Sequence, residues 1–97
     1  MWYYTYIIRS TRTGRLYTGF SNNLRKRFNE HNQNKNKSTK GRGPFEVVYY
    51  EACNDLEDAH ARELYLKSGV GKHYIKNRLK CFLPARQSQG RHLLKHD

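Results

Sequence analysis

Two short runs near the start of the chain, WYYTYIIR at 2–9 and RLYTGF at 15–20, restrict the possible folds more than any other feature. Both are rich in the aromatic and β-branched side chains that suit a pleated, half-buried surface, and both read as strands. The link STRTG ends in Gly14, which can take the positive φ that a short hairpin loop asks for. A hairpin pairing about its middle sets Tyr6 roughly opposite Tyr17, with both rings on one face.

The pattern then changes period. A helix is predicted from Ser21 or Asn22, both good N-caps, to about Asn32. At about 100° per residue, Leu24, Arg27, Phe28 and His31 share one arc, while Arg25, Lys26, Asn29 and Glu30 face the other way. Residues 32–44 (NQNKNKSTKGRGP) read as a polar, basic loop punctuated by Gly41, Gly43 and Pro44. FEVVYYEAC at 45–53 reads as a third strand. Asn54 and Glu57 resemble a capping box for a helix over 55–68, with Leu56, Ala59, Glu63 and Leu66 along one stripe. Gly69 and Gly71 are expected to stop it. A shorter helix over 72–81 turns Tyr74, Ile75 and Leu79 inward, Pro84 closes a single domain over 1–83, and 84–97 reads as a basic, flexible tail.

Charge narrows the partner. The net formal charge is +11, and its distribution is uneven. Residues 1–45 hold ten Lys and Arg against Glu30 alone, whereas 46–83 hold six of each sign. A front half so basic repels itself unless it meets something negative, and polyphosphate is the obvious candidate, which predicts nucleic acid as partner. The two cysteines, Cys53 and Cys81, form neither a disulfide framework nor a zinc spacing. No stretch approaches the ~20 apolar residues of a membrane span, and residues 1–10 lack the plan of a signal peptide. A cytoplasmic protein with no membrane partner is expected, monomeric by default.

Three polar features fall where core is predicted: the Tyr6/Tyr17 pair, the Arg27/His31 pair and Glu63. Taken singly, each has an ordinary structural reading: satisfied core tyrosines, a snorkelling Arg and a Glu paired with a cation. Taken together they are chemically complementary. An inward carboxylate can hold a hard divalent ion that keeps its waters, a guanidinium can clamp phosphate, and imidazole carries protons near neutral pH. Tyrosine hydroxyls can orient water. These are the parts of metal-assisted phosphodiester hydrolysis, and one carboxylate suggests one metal.

The spacing of these residues resembles the GIY-YIG endonuclease superfamily over about residues 2–82. Tyr17-Thr18-Gly19 matches the second tripeptide, and Tyr6, closing Tyr4-Thr5-Tyr6, stands eleven residues earlier. Arg27 and His31 match the helix that follows, and Glu63 the glutamate of the later helix; Asn77 is a further candidate. Tyr4 and Thr5 depart from the Gly and Ile of the family name. The resemblance implies an α+β fold, a three-stranded, largely antiparallel sheet flanked by helices. It also implies a metal-dependent DNA endonuclease that leaves 5′-phosphate and 3′-hydroxyl ends, and structure preference of the repair or recombination type, or weak selectivity, is expected of it. In that scheme Tyr17 positions or deprotonates water, with His31 relaying or accepting the proton; which of the two is the formal base stays open. Arg27 stabilises phosphate charge, Glu63 holds one Mg²⁺ or Mn²⁺, and Tyr6 fixes the geometry. Arg25, Lys26, Lys35, Lys37, Lys40, Arg42, Lys72 and Lys76 are expected to track a DNA or RNA backbone. The competing expectation is a non-catalytic nucleic-acid-binding module on the same fold.

Overall fold

The computed structural model describes residues 1–87. Three strands, β1 (Tyr3–Ser10), β2 (Leu16–Ser21) and β3 (Phe45–Cys53), form one antiparallel sheet in the order β2-β1-β3. Helix α1 (Leu24–Asn32) covers one face, while α2 (Leu56–Lys67) and α3 (Gly69–Arg78) cover the other, followed by a short α4 (Phe82–Gln87). The α+β class is as expected, and the sheet is antiparallel throughout.

Alternation along β1 divides the core. Ile7 packs with Leu66, Ile75 and Leu83 on one side. Tyr6 and Ile8 pack with Phe45, Tyr17, Leu24, Phe28 and Val47 on the other. A register shift between Ile7 and Ile8 sets Ile7 opposite Tyr49 and Ile8 opposite Val47. The extra residue, Val48, therefore joins Tyr49 against the α2–α3 cluster, as a bulge permits.

The hairpin register differs from the expected one. Tyr6 pairs with Gly19, and Tyr17 pairs with Ile8. The loop consumes residues 11–15: Ser10 N–H donates to the Arg15 carbonyl, and Gly14 N–H, at φ +81°, donates to the Ser10 carbonyl. Pairing can resume only at Leu16, opposite Arg9. The slip is two residues, so Tyr6 and Tyr17 still share a face.

Several helix boundaries also move. Ser21 remains in β2, and α1 is capped by Asn23, whose side chain accepts from Lys26 N–H. Asp55 rather than Asn54 caps α2, accepting from Asp58 N–H. Leu56 is half exposed, so the inward stripe of α2 is Ala59, Glu63 and Leu66. Gly69 and Gly71 do not end a helix; they open α3, with Ser68 Oγ accepting from Gly71 N–H. Pro84 lies in the first turn of α4, where its missing N–H has no intrahelical acceptor to lose. The expected boundary at 83 thus falls within α4, and the tail from residue 88 lies outside the described residues.

Gly71 is required by close approach. A Cβ there would collide with the Tyr65 carbonyl and the Leu66 Cα at the α2–α3 corner. Gly71→Ala is expected to destabilise the domain by about 3 kcal/mol, as overpacking against rigid backbone does. Urea unfolding checks this, and a loss below about 1 kcal/mol would mean that the corner relaxes freely.

Candidate functional site

The site begins with Tyr6. On β1 it points to the α1 face, and its ring crosses the β2 backbone at Gly19, where an added Cβ would stand 2.5 Å from the phenol oxygen. At the far end of that ring, Tyr6 Oη lies 2.9 Å from His31 Nε2. The other ring nitrogen, His31 Nδ1, lies 2.7 Å from Thr39 Oγ1. His31 comes inward because α1 turns it one turn past Arg27 onto the stripe shared with Leu24 and Phe28. It is 4% exposed and edge-on to both Tyr6 and Phe45. Arg27 donates to Glu30 Oε1 at 3.3 Å, and its cation acts electrostatically on the Tyr6 phenol.

Burial sets the protonation of this cluster. It holds the Tyr6 phenol above its ordinary value of 10, outweighing the pull of Arg27, while the Glu63 charge pushes the same way. Burial also lowers His31 below 6.5, helped by the Arg27 cation against a smaller opposing effect of Glu30. Near neutral pH, Tyr6 is therefore a protonated phenol and His31 a neutral imidazole.

Glu63 approaches from the opposite face of the sheet. Thr5 Oγ1 donates to the Ala59 carbonyl at 3.0 Å, and His60 stacks on Phe20 with centroids 5.1 Å apart. These contacts lay α2 across β1 and β2, one turn short of Glu63. The Glu63 carboxylate is 8% exposed, with Lys67 Nζ 2.9 Å from Oε2 and His60 Nε2 3.9 Å from Oε1. Among the described residues no group of three or more His, Cys, Asp and Glu could hold a metal ion. A single buried hard-oxygen donor, balanced by a half-exposed lysine, fits an ion that keeps most of its waters and does not fit a closed metal cage.

A cavity of about 570 Å³ adjoins Tyr6 and His31, and its wall includes Tyr17, Thr18, Arg15, Lys67, Lys72 and Lys76. Tyr17 packs edge-on against Phe45, and its buried hydroxyl has no hydrogen-bond partner among the described residues. Arg27 Nε is in the same condition. Arg9 Nε completes this set among the described residues, and of the three side chains Arg9, Tyr17 and Arg27 only Tyr17 lines the cavity.

The structure thus gathers Tyr6, Arg27 and His31, brings Glu63 within electrostatic reach of Tyr6, and sets Tyr17 on the cavity wall. Asn77 is exposed on α3 and is not among the lining residues. Of the expected backbone-tracking cations, Lys72 and Lys76 line this cavity. Arg25 lines a separate cleft with Tyr4 and Tyr50, Lys26 and Lys35 a shallow one along α1, and Lys37, Lys40 and Arg42 are exposed on the loop. Sequence reasoning missed Thr39, Arg15 and Lys67. A threonine in a polar loop carries no signal of its inward direction, and Lys67 is recognisable only as the residue one turn beyond Glu63.

This hairpin, helix and cluster define a small domain of a nuclease family. The family model described as the GIY-YIG catalytic domain matches residues 2–80, and the chain belongs to the GIY-YIG family. A UPF0213 protein of Clostridium perfringens is 43% identical over 65 residues, covering 66% of this chain and 69% of its own. Another, from Oceanobacillus iheyensis, is 42% identical over 66 residues, covering 67% and 76%. The solution NMR structure of a UPF0213 protein from Bacillus halodurans matches with a TM-score of 0.54 at 28% identity, covering 93% of this chain and 98% of that one. No helix among the described residues is long and apolar enough to cross a membrane.

The depressed His31 has a consequence for stability. Above about pH 6.5 its ring is neutral in both the folded and unfolded chain, and its contribution is complete. As pH falls below that value the unfolded chain binds a proton that the folded ring refuses, so stability declines. Thermal unfolding at stepped pH is expected to show a steeper acid-side loss for the wild type than for His31→Gln. Equal slopes would mean that His31 is not depressed.

Proposed function

We propose that this chain is a divalent-metal-dependent DNA endonuclease that hydrolyses phosphodiester bonds, selecting DNA structure rather than sequence, as in repair or recombination. The observation that carries this reading is the hydrogen-bonded Tyr6–His31 pair, under the field of the Arg27 cation, beside a cation-lined cavity. A structural core pair needs neither the guanidinium nor the unmet hydroxyl of Tyr17.

The proton path follows from the hydrogen bonds. Both nitrogens of His31 are engaged, so the ring can take a proton only through Tyr6. An attacking water gives its proton to the Tyr6 oxygen as the phenol proton passes to His31 Nε2, leaving hydroxide and an imidazolium. Hydroxide attacks phosphorus while the bond to the 3′-oxygen breaks, which yields a 5′-phosphate and, after protonation, a 3′-hydroxyl. Tyr17 Oη, without a partner among the described residues, orients the water. Arg27 meets the charge that grows on the non-bridging oxygens. Glu63 would hold one Mg²⁺ or Mn²⁺, whose Lewis acidity relieves charge on the leaving oxygen. Under this reading His31 is the terminal proton acceptor and Tyr6 its relay.

Arg15, Lys67, Lys72 and Lys76 along the cavity, with the exposed loop cations, supply backbone contacts that position DNA without reading sequence. The unit acts in the cytoplasm as a monomer, cutting one strand at a time.

Labelled linear, nicked, flap and four-way DNA substrates in Mg²⁺ or Mn²⁺ test the proposal. Glu63→Ala is expected to abolish nicking with binding nearly intact, and full cleavage by that variant would overturn its role. Arg27→Ala is expected to lower the rate by about 10²-fold or more, the scale of losing one transition-state donor. If that loss merely follows a collapsed melting temperature, Arg27 is structural. Tight binding without cleavage by the wild type on every substrate would favour the non-catalytic binding module.

A further inference from the structure

The loop between α1 and β3 is solvent-exposed along most of its length, yet Thr39 within it is 1% exposed. Its Oγ1 stands 2.7 Å from His31 Nδ1 and 3.5 Å from the Asn36 carbonyl. With Nε2 on Tyr6 at the same time, the imidazole cannot rotate without losing two hydrogen bonds.

Donor accounting gives this chain a direction. A carbonyl only accepts, so the hydroxyl proton of Thr39 goes to Asn36 and the Thr39 lone pairs receive Nδ1–H. Nε2 is then the acceptor for the Tyr6 O–H. Every donor has an acceptor. The reverse polarity would have Thr39 donating to Nδ1 and Nε2–H donating to Tyr6. The Tyr6 proton would then have to turn away from His31 toward the cavity, and the Asn36 carbonyl would lose the Thr39 hydroxyl as donor.

Thr39 is itself held in place by the loop. Asn34, at φ 62°, accepts Gly41 N–H on its side chain at 2.9 Å. Asn32 Oδ1 accepts Phe45 N–H at 2.7 Å. Ser10 Oγ and Arg12 Nη2, from the β1–β2 hairpin, donate to the carbonyls of Arg42 and Gly41 at 2.7 Å each. The segment carrying Thr39 is thereby pinned to both neighbouring elements.

We propose that Thr39 is a positioning residue that holds His31 in its Nδ1–H tautomer with the Nε2 lone pair directed at Tyr6. Its effect on rate rests on the nuclease reading above; the tautomer does not. The loop that presents Lys37, Lys40 and Arg42 outward thus also sets the proton acceptor.

The test is ¹⁵N NMR of the histidine rings in the full chain, with His31 assigned by its loss in His31→Gln. The wild type and Thr39→Ser are expected to show a protonated Nδ1 and an unprotonated Nε2 at neutral pH. Thr39→Val, which keeps the shape and removes the hydroxyl, is expected to give mixed tautomers or Nε2–H. In parallel, cleavage by Thr39→Val should fall about 10- to 100-fold in kcat with KM little changed, the scale of removing a group that orients a functional histidine. Thr39→Ser should restore most of the rate. An Nε2–H tautomer in the wild type, or a Thr39→Val spectrum like the wild type, would overturn the proposal. If no form of the protein cleaves DNA, the nuclease reading fails while the ¹⁵N pattern still decides the role of Thr39.

Discussion

The missing side chain at position 19 is the constraint from which the site follows. Because β2 is bare there, the Tyr6 ring can lie across the strand, and its hydroxyl reaches His31 Nε2 at 2.9 Å. A Cβ would displace the ring, and the sheet would lose its tie to the C-terminal turn of α1. Gly19 and Tyr6 are cross-strand partners, so the two tyrosine-containing tripeptides of the hairpin form one steric unit. The crossing joins the β2 backbone, the Tyr6 ring and the His31 end of α1 in one line of contact.

A second, polar assembly on the other face places Glu63. Arg62 donates to both oxygens of Glu51 at 3.0–3.2 Å, and its guanidinium lies 5.0 Å and 4.8 Å from the ring centroids of Tyr65 and Tyr74. Tyr49 Oη donates to Glu51 at 2.8 Å. One residue on from this staple, α2 presents Glu63 toward the interior. The two faces therefore contribute differently: α1 supplies Arg27 and His31, and α2 supplies the Glu63 carboxylate.

Most of the architecture was legible from period and composition. The hairpin, the third strand and the inward positions of His31 and Glu63 follow from patterns that burial imposes on strands and helices. The failures have local causes. A two-residue slip of the hairpin leaves the face of every side chain unchanged, so the pattern could not reveal that Tyr6 faces Gly19. Gly69 and Gly71 read as helix stops because glycine favours breaks, yet Gly71 is there for close backbone contact at a corner that tertiary packing decides. Asn54 and Asp55 are both plausible caps, and only the backbone angles select Asp55. Thr39 was invisible because its partner lies eight residues back, at the end of a helix whose exit direction no local propensity specifies.

Surface loops ordinarily absorb added or deleted residues with little consequence. The segment from Asn32 to Phe45 is closed to such change, because Asn32, Asn34 and Thr39 each make a contact that depends on the number of residues between them. Its outward side chains can be exchanged without disturbing that frame. Variation in the surface chemistry of this segment can therefore arise by substitution at exposed positions such as Lys37 and Lys40, while its length behaves as a fixed dimension of the domain.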